Sequence, residues 1–317
     1  MTYRTLMLSA VMFILLTAIS ANLAHGQQYV FRSIDMPGAG STYSFGSNNN
    51  SGAIAACYQI TGYLSEYVGY LLAEGAFKPV NYPKAAGTCL YGVSNDGKIA
   101  GVYIDTSGTV HGFLLVGKKY TSISYAGATQ TLANGVNNSG VVAGYYLDSG
   151  NNAHGFTWQS GTFTSIDFPG ASGTYIFGIN DSGAVVGEYV LSGVHGFLLT
   201  GGTYTTLDYP GATNGTAADG TNNAGEIVGF YEGGDRVNHA FTYVSGTFAN
   251  LDYPGSAGSA LLGINDEGQA VGMWYTDVYS EGGKYGDGHG YLATPLPGTH
   301  DAVRGSALGR KGLTPQH

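Results

Sequence analysis

The chain has 317 residues, 43% of them hydrophobic and only 10% charged, with a formal net charge of −9. From Gln27 to Pro297 there are 20 acidic residues against 8 basic ones, a balance that repels phosphate backbones and argues against nucleic-acid binding. Solubility must then come from Gly, Ser, Thr, Asn and Tyr, which suits a rigid exported β protein and not a disordered one.

The first residues stand apart. "MTYR" carries one positive charge, "TLMLSAVMFILLTAI" is a short apolar run, and "SANLAHGQQ" ends in small and polar residues. This is the layout of a secretory signal peptide over 1–26, with Ala24-His25-Gly26 as the small-x-small site and a mature chain from Gln27. The apolar run is short for a span of about 20 residues, so no membrane insertion is expected after cleavage. The expected location is secreted, periplasmic or on the cell surface.

From there one string keeps returning. "DFPGASGTYIFGINDSGAVVGEY" at 167–189 reappears as "DYPGATNGTAADGTNNAGEIVGFY" at 208–231 and "DYPGSAGSALLGINDEGQAVGMW" at 252–274. Aligned on this opening, six units begin at Asp35, Asn81, Ser124, Asp167, Asp208 and Asp252, spaced by 46, 43, 43, 41 and 44 residues. A period in the low forties built of short β-like segments is the signature of propeller blades.

The unit 167–207 predicts four strands. Asp167 caps a turn in which Pro169 fixes φ and Gly170 allows the reversal. "TYIFGI" is a strand of β-branched and aromatic residues. Asn180 and Gly183 bound the hairpin "NDSG", with Gly183 where φ is positive. "AVVGEY", "HGFLL" (which opens with His195) and "TYTTLDY" follow as strands, leaving no room for helices. Unit six stops after "HGYLATP" (289–295), whereas the start of the mature chain supplies an ownerless fourth strand: "QYVFRSIDMPGA" matches "SGTFTSIDFPGA" at 160–171. The expected fold is therefore all-β: a six-bladed β-propeller of four-stranded blades over 27–297, its ring closed by the N-terminal strand pairing with the last blade, which removes an open edge. Residues 298–317 lack strand patterning and read as a flexible C-terminal tail.

The recurring "G-I-N-D-S-G-x-V-V-G-x-Y … H-G-F", with the variant "HAF" at 239–241, resembles the HAF-type repeats of bacterial extracellular proteins over about 31–295. The resemblance implies export and repetition and supplies no catalytic residues. Unit one departs most, with Val68 where the others have His and an extra Asn in "NNNSG".

Cys57 and Cys89 are the only cysteines and fall in adjacent repeats. In an oxidising compartment a disulfide between them is open to them and depends on strand register; the alternative is two buried thiols. His111, His154, His195, His239 and His289 open the third strand of five units. Equivalent positions in a six-fold ring are too far apart to share a zinc ion, so a buried imidazole bonding a turn backbone is expected. Asp35, Asp167, Asp208 and Asp252 read as Asx-type turns into "PGA". "NDSG" and its variants lack the alternating calcium-loop pattern. "EGGDR" (232–236) and "DGH" (287–289) are weak calcium candidates, so no cofactor is assigned.

Strands alternate in direction, so the "DYPGA" connections and the second-to-third-strand loops emerge on one face and the "NDSG" turns on the other. The first face carries the irregularity between units, and variable loops on a rigid scaffold are where function is usually placed. On it, Tyr63, Tyr67, Tyr279 and Tyr285 lie in the two longest loops, and Asp235 and Arg236 in another; these are the candidate binding residues. The leading expectation is a monomeric, non-enzymatic binding or surface-interaction module for an extracellular glycan or protein. A polysaccharide-active glycosidase or lyase would need two nearby carboxylates from Glu66, Asp235, Asp277, Glu281 and Asp287. A structural coat or matrix protein is the third reading.

Overall fold

The computed structural model of the protein describes residues 23–24, 27–43, 46–60, 67–279, 284–285 and 288–297. The leader apart from Leu23–Ala24, the loop with Tyr63 and Glu66, Glu281, Asp287 and the tail 298–317 lie outside them. The chain forms six antiparallel four-stranded blades in sequence order around an axis, the sixth extended by the two-residue strand Leu23–Ala24. The fourth is representative, with strands Gly173–Ile179, Val185–Val190, Val194–Thr200 and Thr203–Leu207 from inner to outer. Among the described residues no helix is long and apolar enough to cross a membrane.

Turn chemistry sets the blade boundaries. Ala171 N–H donates to Phe168 O across Pro169 and Gly170, and Gly170 has φ +80°, the Pro-Gly arrangement of a type II turn. At the other end Gly183 N–H donates to Asn180 O, with Gly183 at φ +81°. Asn180 Oδ1 accepts from Ser182 N–H and Ala184 N–H, so the amide side chain holds the hairpin that its own backbone begins.

The sixth blade is closed from the other end of the chain. Gln27–Ile34 pairs antiparallel with Gly288–Pro295, from Tyr29 opposite Pro295 to Ile34 opposite Gly290. Phe31 is 2% exposed and packs edge-on to Tyr253, with ring centroids 5.9 Å apart, and against the fully buried Tyr291. Cys57, on the second strand of blade one, and Cys89, on the inner strand of blade two, form a disulfide with Cα atoms 4.9 Å apart.

The inner strands of blades two to six are Gly87–Val93, Gln130–Val136, Gly173–Ile179, Gly215–Thr221 and Gly258–Ile264. Each contains a glycine at the same repeat position: Gly92, Gly135, Gly178, Gly220 and Gly263. A Cβ added at these glycines would lie 2.6–3.2 Å from the next blade, against its inner strand for the first four and against Ser47 for Gly263. The glycines thus let the inner strands close on a narrow axis. Each inner strand also slips register immediately before that glycine, between Leu90/Gly92, Ala133/Gly135, Ile176/Gly178, Ala218/Gly220 and Leu261/Gly263. Such β-bulges leave one residue out of the ladder and re-aim its side chain. The residues left out are Tyr91, Asn134, Phe177, Asp219 and Leu262.

Candidate functional site: an axial cavity

The loop-bearing face offers fewer free groups than its composition suggests. In blades two to five an aromatic of the turn and one of the second strand stack face to face: Tyr82 on Tyr103, Tyr125 on Tyr146, Phe168 on Tyr189 and Tyr209 on Tyr231, with centroids 3.6–3.8 Å apart. Tyr253 and Trp274 repeat the arrangement at 4.6 Å. The third-strand histidine covers the second ring's other side, as His195 does on Tyr189 at 5.2 Å. Both faces of that second-strand ring are used inside the protein, so these columns are packing and not platforms.

The histidines themselves correct an expectation. Each is half-buried and bonds chiefly to side-chain oxygens instead of a turn backbone. His195 Nδ1 meets Asp208, 3.0 Å away, and His239 lies between Asp252 on Nδ1 (2.9 Å) and Asp235 on Nε2 (3.1 Å). The Nε2 of His195 meets a loop carbonyl, that of Leu191. The aspartates are corrected with them. Asp167 bonds Ser165 and His154 and accepts Gly155 N–H, so it fastens the outer strand to the third instead of capping its own turn. The geometry favours this because the third and outer strands run side by side, bringing the two columns opposite each other.

Partial burial opposes charge on His239, yet its hydrogen bonds to Asp252 and Asp235 outweigh this and raise its pKa. A raised folded pKa means the charged form stabilises the fold. That stability is fully present below the unfolded value of about 6.5 and is lost as pH rises through the folded pKa. Melting curves from pH 6 to 8.5 should therefore show a decline that His239→Gln reduces, by a few tenths to about 1 kcal/mol for a partly exposed pair. An equal decline in both proteins would exclude this pair as the source.

The sequence-derived binding residues are scattered on this face. Tyr67 opens the third strand of blade one opposite Gln59 and packs against the Cys57–Cys89 cluster. Asp235 bonds His239 and Val237 N–H, and Arg236 is exposed at φ +62°. Tyr279 and Tyr285 belong to a two-residue hairpin, paired with Lys284 and Val278 respectively. Tyr63 lies outside the described residues. Among the described residues no three His, Cys, Asp or Glu side chains come together as a metal site.

The opposite, turn-bearing face is organised around the axis. Asn50, Asn95, Asn138, Asp181, Asn223 and Asp266, one from each hairpin, form a collar. Asn138 N–H donates to Asp181 Oδ1, Asp181 N–H to Asn223 Oδ1, Asn223 N–H to Asp266 Oδ1 and Asp266 N–H to Asn50 Oδ1, all at 2.8–2.9 Å. The preceding asparagines form a second ring: Asn180 Nδ2 donates to Asn222 O, Asn222 to Asn265 O and Asn265 to Asn49 O, each at 3.0 Å. Ser94 replaces this asparagine in blade two, and Lys98 Nζ makes the link to blade three by donating to Asn138 O. The hairpins are thus interblade ties as well as turns.

The collar rims a cavity of about 220 Å³, into which the bulge residues Tyr91, Asn134, Phe177, Asp219 and Leu262 project together with Tyr145. Tyr145 stands edge-on to Phe177 at 6.4 Å and to Tyr175 at 4.9 Å. Asp219 keeps part of its surface on the cavity, but its Oδ2 is withdrawn from solvent without a hydrogen-bond partner among the described residues. Burial, and then the charge of Glu188, raise the Asp219 carboxyl well above the usual carboxylate range. Burial alone brings Glu188 to about 7. Burial also raises Tyr145, with Tyr91, Tyr175 and Glu188 adding to the shift. The result is a recess with aromatic walls and one inward carboxyl whose charge is suppressed, Asp219, below the Asp181 and Asp266 of its rim. It can receive a small ring with an apolar face and polar edges.

Sequence reasoning missed these residues because it looked for irregularity in loops. The signal was present in the strands. Within an otherwise constant repeat, the position before the glycine changes from Tyr91 to Asn134, Phe177, Asp219 and Leu262. The second-strand position after the next glycine runs Val102, Tyr145, Glu188, Phe230, Met273. An isolated glycine within a strand pattern is itself a mark of a bulge.

Neither a protein-family model nor a curated protein matches the sequence. Among solved structures the fold is similar to AofleA from Arthrobotrys oligospora, at 12% identity and a TM-score of 0.50 over 88% of this chain and 96% of that one. It is also similar to the Trypanosoma rangeli sialidase, at 8% identity and a TM-score of 0.50 over 86% of this chain and 57% of the sialidase. The Aleuria aurantia lectin, described as a six-bladed β-propeller with a novel fucose recognition mode, is 12% identical with a TM-score of 0.45 over 81% and 97%. At these identities the likeness concerns the fold. By its fold, this protein is a six-bladed β-propeller.

Proposed function

We propose that this protein is an exported, non-enzymatic saccharide-binding propeller whose ligand seat is the axial cavity on the turn-bearing face. The observation that carries the reading is the recurrent bulge, which turns five unequal side chains from an otherwise repetitive ring into one recess. A sugar ring needs an aromatic surface for its C–H face and fixed polar groups for its hydroxyls. Tyr145 and Phe177 supply the first; Asn134 and Asp219 supply the second. The volume is below the ~300–1,000 Å³ of drug-sized sites, so it suits one ring and not a long stretch of polymer. The apolar leader, the likeness to HAF-type extracellular repeats and the Cys57–Cys89 disulfide favour an oxidising, extracytoplasmic compartment.

An oligosaccharide array followed by titration of the hits tests this. A short oligomer and a long one of the same polymer should bind with equal molar affinity, because one terminal residue fills the seat. Phe177→Ala with Tyr145→Ala should abolish binding, whereas Asp235→Ala with Arg236→Ala should not. Affinity that grows with chain length and survives the axial variant would move the site to the loop face. Absence of any saccharide hit would remove the glycan reading.

A further inference from the structure

A buried carboxyl at the axis is an unusual choice for a neutral ligand. Asp219 occupies the bulge of the fifth inner strand and lines the cavity with a carboxyl oxygen that nothing described satisfies. A buried unpaired polar atom costs stability and calls for an explanation. Glu188 lies on the second strand of blade four, opposite Tyr175 in the ladder, on a strand packed against the one that carries Asp219. Among the described residues no lysine or arginine lines the cavity. The titratable side chains that line the cavity with Asp219 are Tyr91, Tyr145 and the rim aspartates Asp181 and Asp266, while Glu188 stands behind the wall, near Tyr145 and Tyr175. Among the described residues no three His, Cys, Asp or Glu side chains come together there as a metal site, so the oxygen set that calcium requires is not assembled.

What the recess lacks is positive charge. We infer that the axial cavity selects an amine-bearing saccharide, with the ligand's ammonium group held at Asp219 against Tyr145 and Phe177. The inference rests on the saccharide reading above and narrows it. Its physical basis is direct: a cation brought to a buried carboxyl offsets the desolvation that keeps it uncharged, and the aromatic walls attract it further. Binding should therefore expel protons. An ammonium ligand favours ionised carboxylates, so carboxyls that carry protons before binding must release them. No covalent step is involved.

The test is calorimetric titration of the full chain with the glucosamine tetramer and with its fully N-acetylated counterpart, which has the same rings and linkages without the charge. The amine form should bind on the order of tenfold more tightly, a difference of about 1.4 kcal/mol. At pH 6 its binding heat should vary with the ionisation enthalpy of the buffer, as proton release requires. Asp219→Asn, isosteric with the protonated carboxyl, should erase the preference and bring the two tetramers to equal affinity. Glu188→Gln should reduce it independently, which guards against a folding defect in either variant alone. Equal binding of the two tetramers, preference for the acetylated one, or a preference unchanged in both variants would overturn the amine inference and leave the saccharide reading standing. If only other, uncharged saccharides bind, the same conclusion follows. If no saccharide of any kind binds, the reading beneath it fails instead.

Discussion

Replacing Phe31 with alanine is expected to destabilise the protein by about 4 kcal/mol, the usual cost of emptying a buried phenylalanine site. The side chain is 2% exposed and sits at the one seam where the two ends of the ring meet, wedged between Tyr253 and Tyr291. In a blade formed from consecutive strands, short turns keep a weakened strand close to its partners. Gln27–Ile34 has no such tether, because its partner strand Gly288–Pro295 lies at the far end of the described chain. Loss of packing there also exposes the edge of the sixth blade to other chains. A drop in melting temperature on the order of 10 °C, accompanied by concentration-dependent association, is the expected result for a chain of this size. An Ile34→Val control should shift it far less, since it removes only one methyl group. A Phe31→Ala protein that melts like the parent would mean that the ring does not depend on this seam.

The second large effect concerns glycine. Gly183 and Gly187 are four residues apart in the same blade, but they are glycine for different reasons. Gly183 sits at φ +81° with nothing within 4 Å of an added Cβ. Gly187 is buried opposite the inner-strand bulge, where a Cβ would run into the backbone carbonyl of Tyr175. Asparagine tolerates the left-handed conformation, so Gly183→Asn should cost about 1 kcal/mol or less. Gly187→Ala must displace backbone and should cost about 3 kcal/mol, at the upper end of overpacking effects. Chemical denaturation of the two variants checks the order. Equal costs would show that the bulge can relax, and with it the aim of Phe177 into the cavity.

These two sites also show why the repeat is so uniform around the axis and so variable within it. Glycine and asparagine are fixed by backbone approach and by the interblade rings of hydrogen bonds, which every blade but the second satisfies in the same way. The bulge residue belongs to neither ring, although Asn134 Nδ2 donates to Ile176 O of the next blade. It is left out of the ladder, and six-fold repetition does not constrain what it becomes.

Much of this was legible in the chain. The period, the Pro-Gly and Asn…Gly turns and the orphan strand "QYVFRSI" specify a closed six-bladed propeller, because turn chemistry and strand alternation are local properties that a sequence carries openly. The sequence also led to the expectation that function lies where the units differ. It could not say where such positions meet. Asp167 and His154 read as unrelated columns until neighbouring strands set them opposite each other. The Cys57–Cys89 pairing hung on a register that only the folded blades define. Tyr91, Asn134, Phe177 and Asp219, separated by about one repeat each along the chain, become neighbours only when the ring closes and the bulges turn them inward. Turns and strands follow from a few adjacent residues; a recess on the axis depends on all the blades at once, and the tertiary structure alone decided it.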